Sequence, residues 1–584
     1  MLVALFALAA LPGYSRSSRS RLPAGAPVVT VTGQTAGITP FIAQLQLSAN
    51  PVAAVKSIRF EIAPKSGSVT RPISATYFRE YLVSRGWINS GNGQINLSIF
   101  GLYANYTNTV NLTYCFADGS SQQETITVPT AQFSDPCGYG RVVRAQPRTT
   151  SNTLSYDFML VKSNCGSYSP TILDTDGEVR WAGTTGTSSF ESTLYRNGLY
   201  LADGATLMRM EFDGAVTPLA DYTQSGVVAF HHNIDYGKRG IILEADTSSQ
   251  TESFLIEVDA AGNVLKTWDL AAIISDEMTR GGDDPTQFVK PRPIDWFHNN
   301  AVTYKSSDDS LIVSSRENFV IALDYESGAI KWILGDPTKR WYQFPSLRKY
   351  ALALVGSTLP PIGQHAVSIT TDDNLLLFDD GKNSLNQTPA GTDRSYSTAR
   401  KYKIDNQTMS ATELWNDGNQ ALQSEYCSSV YEDHAENYLV DYAVIGISDP
   451  VIGSSTVRVT EIFGLDSLGL KVFDYIYYTQ NCNTAWNAMP IHLEGVGFTG
   501  TDPLDPAGGW RVSSLARDAS GANVMFPAIG GRSYRLEYKD ELSTSAWSPV
   551  ADYTHTSSCS DAEIVDPSAN TRAQRFYRVR LLPP

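Results

Sequence analysis

The chain alternates short apolar runs with polar turns along nearly its whole length. Between about residues 27 and 136 the runs VVTVTG, FIAQLQLSA, SIRFEIAP, NTVNLTYCF and QETITVP largely place apolar side chains at every second position. Period two marks a strand with one buried face. This stretch therefore predicts a small antiparallel β-sandwich of Ig-like kind. A further β pattern, including SYRLEYKD and RFYRVRLL, runs from about 497 to 584 and predicts a small C-terminal β module. Its first loop, or the linker before it, is the Pro/Gly/Asp-rich segment 502–509, where few contacts are expected.

The span from about 140 to 490 carries an internal repeat. An apolar strand ends near Asp, a tight turn follows, and a second strand often ends in an aromatic residue. The copies are ILDTDGEVRW (Asp174), MEFDGAVTPL (Asp213), IEVDAAGNVLKTW (Asp259), ALDYESGAIKW (Asp324), KIDNQTMSATELW (Asp405) and FGLDSLGLKVFDY (Asp466). Asp, Asn and Gly supply the dihedrals and side-chain caps of a hairpin turn. Copies lie roughly 40 to 80 residues apart, so the longer units carry insertions. Each copy fits the outer hairpin of a four-stranded blade, and six blades closed in a ring would leave few exposed edges. The expected fold class is all-β: a six-bladed propeller over 140–490, a sandwich over 27–136 and the C-terminal module.

Composition narrows the function. Charged residues are only 18% while Tyr (30) and Trp (10) are plentiful, which suits sheets. A net charge of −15 argues against a nucleic-acid partner and means that any anion site must be built locally. Met1–Pro12 is an apolar run too short to span a bilayer and fits the h-region of a secretory signal; residues 1–26 are expected to be a leader. No later segment has the length of a membrane helix, so a periplasmic or secreted protein is expected. Six cysteines without CxxC spacing suit disulfides better than zinc, with the pairing left open.

Only seven histidines occur, and three fall at one place in successive units: His231 in AFHHNID, His298 in WFHNNAV and His365 in GQHAVSI. The strand before each cassette would line the propeller channel, so these positions converge on one mouth. His232, next to His231, should point the other way by strand alternation. His434, His492 and His555 share no such register and are expected to be ordinary surface or packing residues. Arg316, in SLIVSSREN, falls on the strand after His298 and can reach the same mouth. ILEAD and LLFDD place acids at the corresponding positions of blades 3 and 5. Guanidinium suits a tetrahedral oxyanion such as sulfate.

The stretch IDWFHNNAVTYKSSDDSLIVSSRENFVIALDYESGAIKWILG, followed by GQHAVSITTDDNLLLFDDG, resembles the bacterial arylsulfate sulfotransferases, which use no nucleotide donor. HHNID and PTILDTDGEVRW are similar to the family as well, and the resemblance covers roughly residues 27 to 480. It implies a six-bladed propeller behind a β-sandwich, and a ping-pong transfer of a sulfuryl group from an aryl sulfate donor to a phenolic acceptor. By resemblance His365 is the nucleophile that becomes sulfohistidine. His298, Asn300 and Arg316 bind the sulfuryl oxygens. A histidine of HHN completes the site, and the repeat register favours His231 over His232 for that place. Ser428 or Ser429 supplies a hydroxyl from the sixth blade. The C-terminal module departs from the best-known members. No metal or cofactor is expected, and no nucleic-acid partner or membrane span; a homodimer stays open.

The chemistry is coherent on its own terms. Neutral imidazole is a competent nucleophile near neutral pH, and fixed cations stabilise oxygen charge as the S–O bond breaks. Two other outcomes stay open: a zinc-dependent propeller enzyme using the same histidines, and a non-catalytic propeller used for binding or adhesion.

Overall fold

The computed structural model describes residues 26–149, 153–166, 168–184, 190–418, 421–448, 456–479, 482–500, 512–541, 547–557, 559–572 and 574–582. The expected leader, apart from residue 26, and the expected linker at 502–509 lie outside the described residues. The chain forms two compact units: one of residues 66–70 and 132–492, the other of the described residues up to 65, 71–131 and from 493 onward.

The first unit is a succession of six antiparallel sheets. Blades 2, 3 and 4 are four-strand meanders starting at Ser192–Tyr195, Val227–Tyr236 and Asn299–Lys305. Blade 5 starts at His365–Ile369 and adds the short parallel strand Ala353–Leu354 on its outer edge. The two remaining sheets are closed by strands from distant parts of the chain. Blade 1 (Phe158–Lys162, Thr171–Asp174, Val179–Ala182) takes Asn487–Ile491 as its innermost strand. Blade 6, which starts at Ser429–Glu432, takes Val142–Gln146 on its outer edge. The innermost strands of blades 2 to 6 contact one another in order, Ser429–Glu432 contacts Asn487–Ile491, and Phe158–Lys162 contacts Ser192–Tyr195, so the sheets form a closed ring.

Each repeated cassette is the outer hairpin of its blade. Its Asp carboxylate accepts backbone N–H groups within the turn: Glu178 at Asp174, Ala215 at Asp213, Asn263 at Asp259, Ser327 at Asp324, Gln407 at Asp405 and Leu470 at Asp466. These bonds are local to each turn. The aromatic that ends a cassette fills the wedge toward the next blade. Trp181 lies 6.0 Å from Phe212, Trp268 lies 5.3 Å from Tyr325, and Trp415 stacks on Tyr438 at 4.4 Å. Burying such a ring stabilises by about 1.5–3 kcal/mol.

The second unit holds the sandwich, with sheets built on Ile42–Asn50 and Val55–Ile62. The residues after 497 were expected to form a separate module. They make two three-stranded sheets of their own, yet they belong to the same compact unit as the sandwich. Val496–Phe498 adds in parallel to Ile73–Phe78, and Phe498 stacks on Tyr77 at 4.7 Å. A disulfide joins Cys115 to Cys559, and Lys56 pairs with Asp561 at 2.9 Å. These contacts span more than 400 residues of sequence, so no local pattern announces them. Cys137–Cys165 and Cys427–Cys482 complete three disulfides, which suit an oxidising compartment. Among the described residues no helix is long and apolar enough to cross a membrane.

Candidate active site

The innermost strands of blades 3, 4 and 5 are irregular where their histidines sit. In blade 3, Phe230 pairs with Ala245 and pairing resumes at Ile234 with Leu243, so three residues face one; His232 has φ +56°. In blade 4, Asn299 pairs with Ser315 and Ala301 with Ser314, and the preceding His298 has φ +55°. In blade 5 the register shifts between His365 and Ser368, with Ala366 at φ +53°. A left-handed non-glycine residue costs about 1–2 kcal/mol. Bulges of this kind re-aim side chains.

The bulge in blade 3 interrupts the alternation from which the HHN pair is read. With its left-handed backbone, His232 is the counterpart of His298, and the two rings lie 4.7 Å apart. His231 sits one step outward, its Nδ1 2.8 Å from that of His232 and 3.8 Å from Glu244.

His365 is buried. Its Nδ1 lies 3.2 Å from the Gly363 carbonyl and 2.8 Å from Asp380 Oδ2. The Gly363 carbonyl can only accept, which puts the proton on Nδ1 beside Asp380 and leaves the lone pair on Nε2. Burial, then the Arg316 charge, hold the imidazole well below its ordinary 6.5, so it is neutral at neutral pH. Burial pushes Asp380 well above the usual carboxylate range, with Arg316 opposing.

His298 is charged. Its Nδ1 contacts Asp295 Oδ2 and lies 2.8 Å from Glu252 Oε2. Burial works against the charge, but Glu252 and Asp295 outweigh it and raise His298 to about 10. His232 is held well below 6.5 by burial, opposed by Glu252 and reinforced by the neighbouring His298.

Arg316 follows the strand Ser310–Ser315 and is buried. Its backbone N–H donates to the His298 carbonyl at 3.0 Å and Nη1 donates to Glu317 at 2.8 Å. Glu317 is held in turn by Ser384 and by the Leu385 and Asn386 N–H groups. The guanidinium lies 5.6 Å from the Tyr426 ring, and its buried Nη2 has no hydrogen-bond partner among the described residues. A buried, unused charged donor is costly unless an anion meets it.

Other expected site residues are differently engaged. Asn300 donates its amide to the Gln364 carbonyl at 2.9 Å, tying blade 4 to blade 5. Its neighbour Asn299 is buried with both amide atoms unpartnered among the described residues. Ser429 exchanges hydrogen bonds with the backbone of Ala488. The Ser428 hydroxyl accepts from Ala443 N–H at 3.1 Å and meets Ser424 at 2.8 Å. Both hydroxyls serve the fold.

Trp486, just before the closing strand of blade 1, joins the set unannounced by any repeat. Its ring lies 5.0 Å from His232 and 5.7 Å from His365. Glu252, Asp295 and Asp380 were also not singled out by sequence, although LLFDD placed an acid at the position that Asp380 fills. His434 and His492 share Asp433, at 2.8 Å each, away from this cluster. Two groups, His231/His232/Glu252 and Glu252/Asp295/His298, bring metal-ligating atoms within 4.8 Å of one another. Their contacts run as a chain of neighbours through successive Nδ1 atoms.

A sequence profile described as Arylsulfotransferase (ASST) matches residues 143–468, and one described as Arylsulfotransferase Ig-like domain matches residues 35–131. Arylsulfate sulfotransferase AssT of Escherichia coli O6:H1 is 26% identical over 208 residues, covering 28% of this chain and 34% of that protein. AssT of Lelliottia amnigena is 24% identical over 315 residues, covering 42% and 52%. The chain thus spans about half or less of the curated relatives it matches. The β-propeller domain of Myceliophteria thermophila Cps50 (Swd1) is 10% identical, with 58% of this chain and 99% of that one covered, and superposes with a TM-score of only 0.28. The propeller profile alone takes in more than half of the 584 residues, and on that match the chain belongs to the arylsulfotransferase family.

Proposed function

We propose that this chain transfers a sulfuryl group from an aryl sulfate ester to a phenol through a sulfohistidine at His365. The observation that carries the proposal is a neutral, buried imidazole anchored through Nδ1, near the unspent Nη2 donor of Arg316. Nε2 of His365 attacks sulfur, and the bond from sulfur to the aryl oxygen breaks with its electron pair leaving on oxygen. The adduct carries positive charge on the imidazole, which Asp380 at Nδ1 offsets. Arg316 and the cationic His298 take up charge on the sulfuryl oxygens. The aryloxide takes up a proton from solvent; a second phenol then attacks sulfur, gives up its O–H proton to solvent, and the N–S pair returns to Nε2. The relatives' printed names, arylsulfate sulfotransferase, support the same donor class. Secretion or periplasmic residence belongs to this proposal, and the three disulfides support it.

The test is to mix the protein with 4-nitrophenyl sulfate and no acceptor. A burst of nitrophenol is expected, with a mass gain of one sulfuryl group mapped to His365. Steady turnover only when phenol is added completes the pattern. Absence of both burst and turnover rejects the proposal and favours a non-catalytic propeller.

The clustered donor atoms of His231, His232, Glu252, Asp295 and His298 favour one second reading, a zinc-dependent enzyme. Activity lost in a chelator and restored by zinc would select it.

A further inference from the structure

We propose that Glu317 is a positioning residue for Arg316: because Ser384 and the N–H groups of Leu385 and Asn386 occupy one of its carboxylate oxygens, it takes only one nitrogen of the guanidinium and leaves another for the sulfuryl oxygens. The inference rests on the transfer reaction proposed above.

A buried arginine and carboxylate frequently pair through two parallel N–H···O bonds. Arg316 and Glu317 are adjacent in sequence and both buried, yet they meet through one bond, from Nη1 to Oε1 at 2.8 Å. The other oxygen, Oε2, accepts the Ser384 hydroxyl and the N–H groups of Leu385 at 2.8 Å and Asn386 at 2.7 Å. Those three donors leave Oε2 nothing to offer a guanidinium. Nη2 of Arg316 is therefore buried without a partner among the described residues. Without them Glu317 would be free to close on both nitrogens and consume the donor that the reaction needs.

The arginine backbone is fixed as well. Its N–H donates to the His298 carbonyl at 3.0 Å, and its carbonyl accepts from Lys339 Nζ at 3.2 Å. With the backbone and Nη1 held, the planar guanidinium aims Nη2 in one direction. The donors to Glu317 belong to the segment between the strands Leu375–Asp379 and Thr398–Asp405 of blade 5. Ser384 Oγ also accepts the Gln387 N–H at 2.9 Å, and the Gln387 side-chain amide donates to the Phe288 and Trp296 carbonyls at 3.1 and 3.2 Å. Asp380, which meets His365, begins the same segment. One connection of blade 5 thereby orients the nucleophile at its start and keeps the anion clamp open four to six residues later.

A carboxylate that acts through Arg316 differs from a purely structural one in a double-mutant cycle. Glu317→Gln, Arg316→Ala and the double variant are measured for kcat and KM on 4-nitrophenyl sulfate with one fixed phenol, per mole of folded protein. We expect Glu317→Gln to lower kcat by roughly 100-fold, and to lower it no further once Arg316 is Ala. Ser384→Ala removes a single donor and should show a smaller loss with the same dependence on Arg316; it decides the question if Glu317→Gln fails to fold. Wild-type kcat in the folded variants, or a loss that persists in full in the Arg316→Ala background, overturns the inference. A wild-type protein that moves no sulfuryl group at all overturns instead the reaction on which it rests.

Discussion

Asp380 Oδ2 stands 2.8 Å from Nδ1 of His365, on the side of the ring away from the lone pair that Nε2 would offer to sulfur. The pair sets the tautomer of the imidazole and supplies a counter-charge when the ring becomes cationic. Asp380 reaches this place because it directly follows the strand Leu375–Asp379, which pairs with the His365 strand.

His365→Ala should abolish transfer with the fold retained. The burst and the mapped mass gain should both vanish, while circular dichroism and the melting temperature stay near wild type. Asp380→Asn should still form the adduct, at a rate lower by roughly 100-fold. Near wild-type turnover in folded His365→Ala would remove His365 from the nucleophile's role.

Arg316→Ala should lower kcat by roughly 100- to 1,000-fold, the usual loss for one transition-state donor. Arg316→Lys should recover little, because an ammonium lacks the planar fork that holds Glu317 on one nitrogen and aims a second, separate nitrogen at the substrate. Steady-state kinetics at saturating donor check this, and a chelator included in the assay should leave the wild-type rate unchanged.

The two histidines titrate in opposite directions. The folded pKa of His365 is depressed, so the neutral nucleophile persists into acid and the acidic limb of kcat/KM should fall well below pH 6.5. The folded pKa of His298 is raised from 6.5 to about 10, so the cation persists and the alkaline limb should lie near pH 10. The same raised value links to stability: what His298 contributes is full below pH 6.5 and lost as pH rises through about 10. Melting temperatures across pH 6 to 11 should decline more in the wild type than in His298→Gln, and parallel curves would refute the assignment.

Replacing Cys115 and Cys559 by Ala should destabilise the sandwich unit by about 2–5 kcal/mol. Turnover should persist at temperatures where that unit stays folded, because every residue of the candidate site lies in the propeller unit. A chain ending near residue 500 loses the same disulfide along with two sheets and should show the same separation of stability from activity. Differential scanning calorimetry beside the transfer assay tests both, and a folded but inactive truncation would bring the C-terminal residues into the site.

Much of the fold is legible in the sequence because it is written locally. Asp174, Asp213, Asp259, Asp324, Asp405 and Asp466 each cap a turn within four residues, so their spacing alone sets out the hairpins. His298 and His365 are legible because they fall at one place in successive units. The choice between His231 and His232 is not legible for a physical reason: alternation holds only in an unbulged strand, and three residues face one at that point. Glu252, Asp295 and Trp486 sit on segments between strands, whose lengths vary from blade to blade, so no repeat marks them. The Cys115–Cys559 link and the strand Val496–Phe498 depend on residues far apart in sequence, which no window along the chain can register.

The Cys115–Cys559 bond makes the backbone between those residues a covalent loop that contains every strand of the propeller blades. A protease that cuts once inside this loop leaves a single covalent molecule, which parts into two fragments only after reduction. The ring of blades, already fastened by its first and last strands, therefore tolerates a nick without either end being released. Electrophoresis of lightly digested protein with and without reductant would display that difference directly.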